Sequence, residues 1–237
     1  MKLGIMQPYF FPYIGHYALI AATDRWVVFD SVQYAPRSWM NRNRVLHPRT
    51  GWQWVGVPVN RAPRGTPIHR VTVLDKQAAL TRIVGQLDHY RRCAPFHAHV
   101  VELVRAAFAA AKTDGLADVA TASLTETCRF LDIRMDWTPS SALSVAPESI
   151  RHAGDWALEI SRTLGASLYV NPPGGRSLFR PEDWRAAGIG IGFLETSPFR
   201  YPCGRLEFVE NLSILDVLMW NDAASVRAAV CRARVVP

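Results

Sequence analysis

Apolar and polar positions along this chain of 237 residues alternate in two different rhythms. Lys2–Met6 is a short apolar run, and Gln7-Pro8-Tyr9-Phe10-Phe11-Pro12-Tyr13 cannot continue it as a central strand or a helix, because each proline removes a backbone donor. Gly15–Ala22 has helix-forming composition, and Trp26–Phe29 is apolar again before Asp30. This spacing predicts one βαβ unit closed within about 30 residues. Trp52–Val59 and Ile68–Leu74 each alternate with period two around the Pro/Gly/Arg turn Asn60–Pro67, which predicts a β-hairpin inserted after that unit. Gln77–Arg92, His97–Lys112 and Asp118–Leu131 carry helical spacing and break at Ala94-Pro95 and Asp114-Gly115. The strand–helix rhythm then returns: Arg134–Trp137, Ser167–Val170 and Ile189–Leu194 read as strands. Ser149–Leu164, Pro181–Ala187, Ser213–Trp220 and Ala223–Arg232 read as helices. The pattern predicts an α/β fold with a mostly parallel, Rossmann-like sheet. It further predicts a single domain over residues 1–237, with a β insertion at 52–74 and a helical segment at 77–131.

The order of the strands gives the polar motifs a common address. Gln7–Tyr13, Asp30-Ser31-Val32-Gln33-Tyr34, Pro139-Ser140-Ser141 and Asn171-Pro172-Pro173-Gly174-Gly175 each follow a predicted parallel strand. Four such loops would lie on one edge of the sheet, where open α/β sheets bind ligands. The first loop also leads into a helix, whose N-terminus offers free backbone N–H groups and a positive dipole end.

Composition narrows the classes. The formal net charge is +7, carried by 27 Lys and Arg against 20 Asp and Glu, and nearly all of the cations are arginine. Arginine suits bidentate capture of phosphate or carboxylate, so an anionic ligand or a nucleic acid is an expected partner. No apolar run approaches the ~18 residues that a membrane span needs. Cys93, Cys128, Cys203 and Cys231 lie far apart without a C-x-x-C pair, which argues against a disulfide scaffold or a zinc knuckle. A cytoplasmic protein with reduced thiols is expected.

Arg37-Ser38-Trp39-Met40-Asn41-Arg42-Asn43-Arg44 interleaves guanidinium forks, amides and an indole, a composition suited to a nucleotide, a sugar nucleotide or the acceptor end of an RNA. Asp30 and Gln33 stand where they could orient an amine, with Asp30 a general base if desolvated. Pro172–Ser177 lacks the Gly-Lys-Ser/Thr of a P-loop but allows close backbone approach at Gly174 and Gly175. Ser140 and Ser141 lack a nucleophile elbow and read as binding residues. His89, Cys93 and His97 have helical spacing, yet Pro95 should break the helix between them, so no metal is assigned. Asp216, among Ile214, Leu215, Val217 and Leu218, is expected to cap the helix or pair with an arginine inside the fold.

Tyr13-Ile14-Gly15-His16 resembles the His-x-Gly-His tetrad of the nucleotidyltransferase superfamily, with tyrosine in place of the first histidine. A tyrosine is neutral near pH 7 and stabilises phosphate charge less than an imidazolium. A resemblance of wider extent is to the WbqC-like family. It rests on M-Q-P-Y-F-F-P-Y-I-G, then V-F-D-S-V-Q-Y with R-S-W-M-N-R-N-R, on Pro139-Ser140-Ser141, on the L-G-A-x-x-Y-V-N-P-P-G-G run at 164–175, and on N-L-S-I-L-D-V-L-M-W-N at 211–221. In that family position 16 is usually aromatic, so His16 is a departure. The resemblance implies a cytoplasmic enzyme of surface-polysaccharide or secondary-metabolite pathways. The expected activity is transfer of an acyl or aminoacyl group onto an amine of a small metabolite or nucleotide-linked amino sugar, with aminoacylated tRNA one donor that would explain the positive charge. Gln7, Tyr9, Tyr13, Tyr34, Arg37, Trp39, Asn41, Arg42, Asn43 and Arg44 would bind donor or substrate, joined by Ser140, Ser141, Asn171, Gly174 and Gly175, and Asp30, His16 and Gln33 would do the chemistry. The sequence assigns no cofactor. The competing expectations are a nucleotidyltransferase or ATP-dependent ligase built on the Tyr-x-Gly-His loop, and a non-catalytic sugar-nucleotide or partner-binding protein.

Overall fold

A computed structural model describes residues 1–145, 148 and 150–237. Its centre is a six-stranded mixed sheet formed by β1 (Lys2–Met6), β2 (Arg25–Val28), β5 (Trp137–Pro139), β6 (Leu168–Asn171), β7 (Gly190–Glu195) and β8 (Arg234–Val236). Their spatial order is β5-β2-β1-β6-β7-β8. The first five run parallel and only β8 is antiparallel, against β7. The chain therefore reverses its direction of strand addition between β1 and β6, and such a switch point opens a crevice at the carboxyl ends of the strands.

Alternating side chains divide the core between the two faces, as the period of a strand requires. Leu3, Ile5, Val27 and Tyr169 face a cluster with Leu158, Ile160 and Trp184 from α5 (Asp155–Thr163) and α6 (Pro181–Ala186). Trp26, Val28 and Val170 face the larger cluster, which gathers α1 (Ile14–Ala21), α2 (Lys76–Leu87), α3 (His97–Ala110), α4 (Leu116–Phe130), α7 (Ile214–Trp220) and α8 (Ala223–Val230).

The hairpin differs from its expected form. Trp52–Gly56 is strand β4, but its partner is β3 (Arg42–Leu46), in the register Arg44↔Trp54 and Leu46↔Trp52. The arginine-rich motif is thus half strand. Ile68–Arg70 forms a single 3₁₀ turn instead of a strand, and the expected pairing is kept at the Val59↔Val73 bridge, where Asn60 N–H donates to the Thr72 carbonyl and Leu74 N–H to that of Pro58. A hairpin from 42 to 56 closes a five-residue connection through Gly51 (φ +67), against the eleven residues that would separate Gly56 from Ile68, and closing a shorter loop costs less entropy. Helix α5 begins at Asp155, and the expected start at Ser149 lies outside the described residues. Among the described residues, no helix is long and apolar enough to cross a membrane.

Candidate functional site

The first loop is tied down from four sides. The backbone N–H of Phe10 donates to the carbonyl of Trp39 (2.8 Å), and that of Phe11 to Ser123 Oγ (3.0 Å). The Asn43 side-chain amide donates to the carbonyls of Phe10 and Phe11 (3.2 and 2.9 Å), and Ser213 Oγ donates to the Phe11 carbonyl (2.7 Å). Phe10 and Phe11 are fully buried, and Phe11 sits at φ +39, a left-handed conformation that a non-glycine residue keeps only when its surroundings over-determine it. Burying both phenylalanines leaves Tyr9 and Tyr13 to flank the mouth.

Tyr13 precedes α1 and caps nothing with its side chain. Its ring lies over the first turn, where a Cβ on Gly15 would stand 2.4 Å from it, so the glycine makes room for the ring. Tyr9, Pro12, Tyr13, Trp39, Asn43, Arg44 and Asn211 line a cleft of about 310 Å³. A neighbouring cleft of about 240 Å³ shares Tyr13 and Asn211 and is walled by Thr196–Tyr201 and Phe208–Leu212. Burial raises the hydroxyl pKa of Tyr9 and Tyr13, so both are hydrogen-bond donors at neutral pH.

Beside this cleft the outer face of the hairpin forms a ladder. The Arg42 guanidinium lies 3.9 Å from the centre of the Trp54 ring, and that of Arg44 lies 5.3 and 5.1 Å from Trp39 and Trp52. Trp54 in turn contacts Trp39 and Trp52 at 5.5 and 5.1 Å. Among the described residues neither arginine has a carboxylate partner, and Nε of each is buried without a hydrogen bond. Arg44 makes one long bond, to the carbonyl of Asn211 (3.4 Å), itself at φ +56.

The other motifs on the same edge do not converge on this cleft. Asp30 is buried, and its carboxylate accepts hydrogen bonds from Ser140 Oγ (3.0 Å), Ser141 N (2.8 Å) and Ser141 Oγ (2.8 Å). Ser140 Oγ also accepts from the N–H groups of Asp30 and Ser31. This network ties the end of β2 to the end of β5, with two hydrogen bonds to Oδ1 of Asp30 and one to Oδ2. Gln33 is exposed and its backbone bridges to Pro67, and Tyr34 is buried. Arg37 is exposed at φ +57, Asn41 donates to the Val57 carbonyl, and Gln7 is half-buried at the end of β1. Asn171 is used internally: its Oδ1 accepts from Tyr169 and its amide donates to the Pro172 carbonyl. That amide also rests on Gly175, where a Cβ would be 2.1 Å away, so Gly175 serves the turn's own packing, and Gly174 is exposed in the same 3₁₀ segment, Pro173–Leu178.

His16, expected among the residues that do the chemistry, is enclosed. Its ring is buried between Tyr9 and Trp26, at 5.5 and 5.3 Å, and neither nitrogen has a hydrogen-bond partner among the described residues. Burial pushes its pKa down to about 3, so it presents no positive charge to a phosphate at neutral pH. An imidazole here occupies an aromatic position.

One feature lies outside what the sequence predicts, and another departs from it. The stretch Thr196–Asn211 walls the second cleft, and its S-P-F-R-Y-P-C-G-R-L-E-F has the same proline-aromatic composition that marked the first loop. Asp216 pairs with no arginine among the described residues: its carboxylate accepts from Tyr90, from Tyr201 Oη (2.9 Å) and from Leu46 N (3.0 Å). It thereby fixes β3 and the Tyr201 wall to α7, and burial raises its pKa. His89 and His97 fall on different elements, a 3₁₀ turn and α3. His152, Asp155 and Asp183 lie close enough to share an ion, but Arg180 already bridges the two carboxylates.

Comparison with known proteins finds similarity over nearly the full length of the chain. No solved structure matches the chain at a significant level. An uncharacterized protein of Mycobacterium tuberculosis (strain ATCC 25618 / H37Rv), Rv1507c, is 24% identical over 229 residues, covering 92% of each chain. Residues 7–228, which include the first loop, the Arg/Trp hairpin and the Thr196–Asn211 wall, match the WbqC-like protein family, and the chain belongs to that family.

Proposed function

We propose that this WbqC-like protein is a cytoplasmic group-transfer enzyme that moves an acyl or aminoacyl group onto an amine of a small metabolite or nucleotide-linked amino sugar. The observation that carries the reading is Arg44, a guanidinium without a counter-charge among the described residues at the rim of an aromatic cleft beside the sheet's switch point. A cation desolvated on one side and lacking an acid partner favours an anionic ligand. Tyr9 and Tyr13 supply neutral donors to the oxygen that gains charge as a carbonyl is attacked. The amine nitrogen bonds to the carbonyl carbon of an activated ester, the ester C–O bond breaks, and the departing oxygen takes the proton that the amine gives up. That balance asks for positioning more than for a protein base, which suits a cleft whose ionisable lining is one arginine and two tyrosines. The strand order, with its switch point between β1 and β6, supports placing an anionic carrier there, the diphosphate of a nucleotide-linked amino sugar included.

A second reading is a non-catalytic sugar-nucleotide binder, favoured by the engagement of both Asp30 oxygens in internal bonds. Nucleotidyl transfer has lost its imidazole, since His16 is buried and neutral. The test incubates the protein with a nucleoside diphosphate amino sugar and activated donors, charged tRNA among them, and follows amide product by mass. Product that disappears in Arg44→Ala supports transfer. Tight binding of the sugar nucleotide without product from any donor replaces transfer with the binding reading, and pyrophosphate release from a nucleoside triphosphate replaces both.

A further inference from the structure

The charge of this protein is concentrated in one segment. Between Ser31 and Leu74 there are seven arginines and neither aspartate nor glutamate, so the remainder of the chain has equal numbers of cationic and acidic residues. The same segment holds Trp39, Trp52 and Trp54, and it builds the two-stranded sheet of β3 and β4. Trp39 and Trp52 are 39% and 41% exposed, unusual for the largest apolar side chain, while the sheet's other face is closed by buried Asn43, Val45 and Val55.

We infer that this face docks single-stranded nucleic acid, with bases stacking on Trp52 and Trp39 and phosphates held by Arg42 and Arg44. The geometry favours a strand over other polyanions for two reasons. A guanidinium held over an indole, 3.9 Å from the ring centre for Arg42 on Trp54 and 5.1 Å for Arg44 on Trp52, keeps N–H groups for a phosphate. Exposed indoles alternating with cations reproduce the spacing logic of single-strand sites, where every base has a π-face and every link a charge. An acidic peptide would use the arginines and leave the tryptophans idle, and a duplex hides its base faces. Trp39 and Arg44 also line the cleft, so a strand on the ladder leads directly into it. The proposal deepens the group-transfer reading and rests on it only for what the end of the strand does there.

The experiment titrates the full-length protein, by tryptophan fluorescence and anisotropy, with a labelled 12-nucleotide single-stranded RNA, its DNA counterpart, a blunt RNA duplex and polyglutamate. Single strands should bind at least tenfold tighter than duplex or polyglutamate, with affinity falling linearly on a log scale against salt. Trp52→Ala should weaken single-strand binding about tenfold with little change in salt slope. Arg42→Ala should lower that slope by about one. Arg42→Lys, which keeps the charge without the guanidinium fork, should restore the slope but not the full affinity. RNA favoured over DNA would place an RNA carrier here, and equal binding would place a generic strand; both support the surface. No binding at low salt, equal binding of polyglutamate, or indifference to Trp52→Ala in a protein with an unchanged unfolding midpoint overturns it. Failure is separable from failure of group transfer: amide product from a small-molecule donor without strand binding removes only this inference, and strand binding without product removes only transfer.

Discussion

Two stretches of the same sheet edge treat their charges in opposite ways. At the ends of β2 and β5, Asp30 is enclosed by Ser31, Ser140 and Ser141, and both its oxygens accept hydrogen bonds. Beside the ends of β1 and α1, Arg42 and Arg44 rest on tryptophan faces with no acid opposite them among the described residues. A buried charge with its bonds complete stabilises a fold and has little left to offer a ligand, whereas an arginine held in place but unneutralised retains its strongest interaction for something absent. The difference separates scaffold from site more reliably than residue type does, since Asp and Ser are the more familiar catalytic residues.

Breaking each region should therefore produce opposite phenotypes. Asp30→Ala leaves two serine hydroxyls and the Ser141 N–H without their acceptor, and should cost about 3 kcal/mol of stability in urea unfolding. Affinity for an anionic ligand should change by less than about threefold in the fraction that remains folded. Arg44→Ala should do the reverse, weakening an anionic ligand about thirtyfold, or about 2 kcal/mol, and shifting unfolding by less than about 1 kcal/mol. If Arg44→Ala unfolds the protein and leaves binding intact, the assignment of roles is inverted.

His16 sharpens the scaffold side through pH. Its folded pKa of about 3 lies below the unfolded value near ~6.5, so the stability gained by keeping it neutral is complete above that unfolded value. It is lost progressively as pH falls from there toward 3, by about 2 kcal/mol at pH 5. His16→Phe fills the aromatic slot without a titrating group, and its unfolding midpoint should fall correspondingly less between pH 7.5 and pH 5. The smallest effect is at Gly15. An alanine on a helix normally stabilises by up to about 1 kcal/mol relative to glycine, but here its Cβ meets the Tyr13 ring, so Gly15→Ala should destabilise by about 1 kcal/mol and weaken binding in the cleft. A gain in stability would show that Tyr13 moves freely.

The sheet was largely legible in the sequence because strands of four to six residues with apolar runs, such as β1, β2 and β7, announce themselves by period. Strands β5 and β8 have three residues each, too few to establish an alternation, so one was displaced and the other passed unseen. The sequence pattern does not reveal β3 as the partner of Trp52–Gly56, because R-N-R-V-L carries strand alternation only if arginine is allowed on the outer face. Tyr9, Tyr13, Trp39, Asn43 and Arg44 were all singled out from sequence and lie together in the cleft. Asp30 and His16 stand out in the sequence too, but only their surroundings reveal that both oxygens of one accept internal hydrogen bonds and that the other is desolvated. Asp216 lies 126 residues from Tyr90, and no local pattern could pair them.

The most direct test is a calorimetric titration of the native protein, Arg44→Ala and Asp30→Asn with a nucleoside diphosphate amino sugar, each checked for an intact unfolding transition. Saturable binding to the native protein and to Asp30→Asn, reduced about thirtyfold in Arg44→Ala, is the predicted result. Binding that survives in folded Arg44→Ala, or that vanishes in folded Asp30→Asn, would contradict the assignment of the unneutralised arginine as the site.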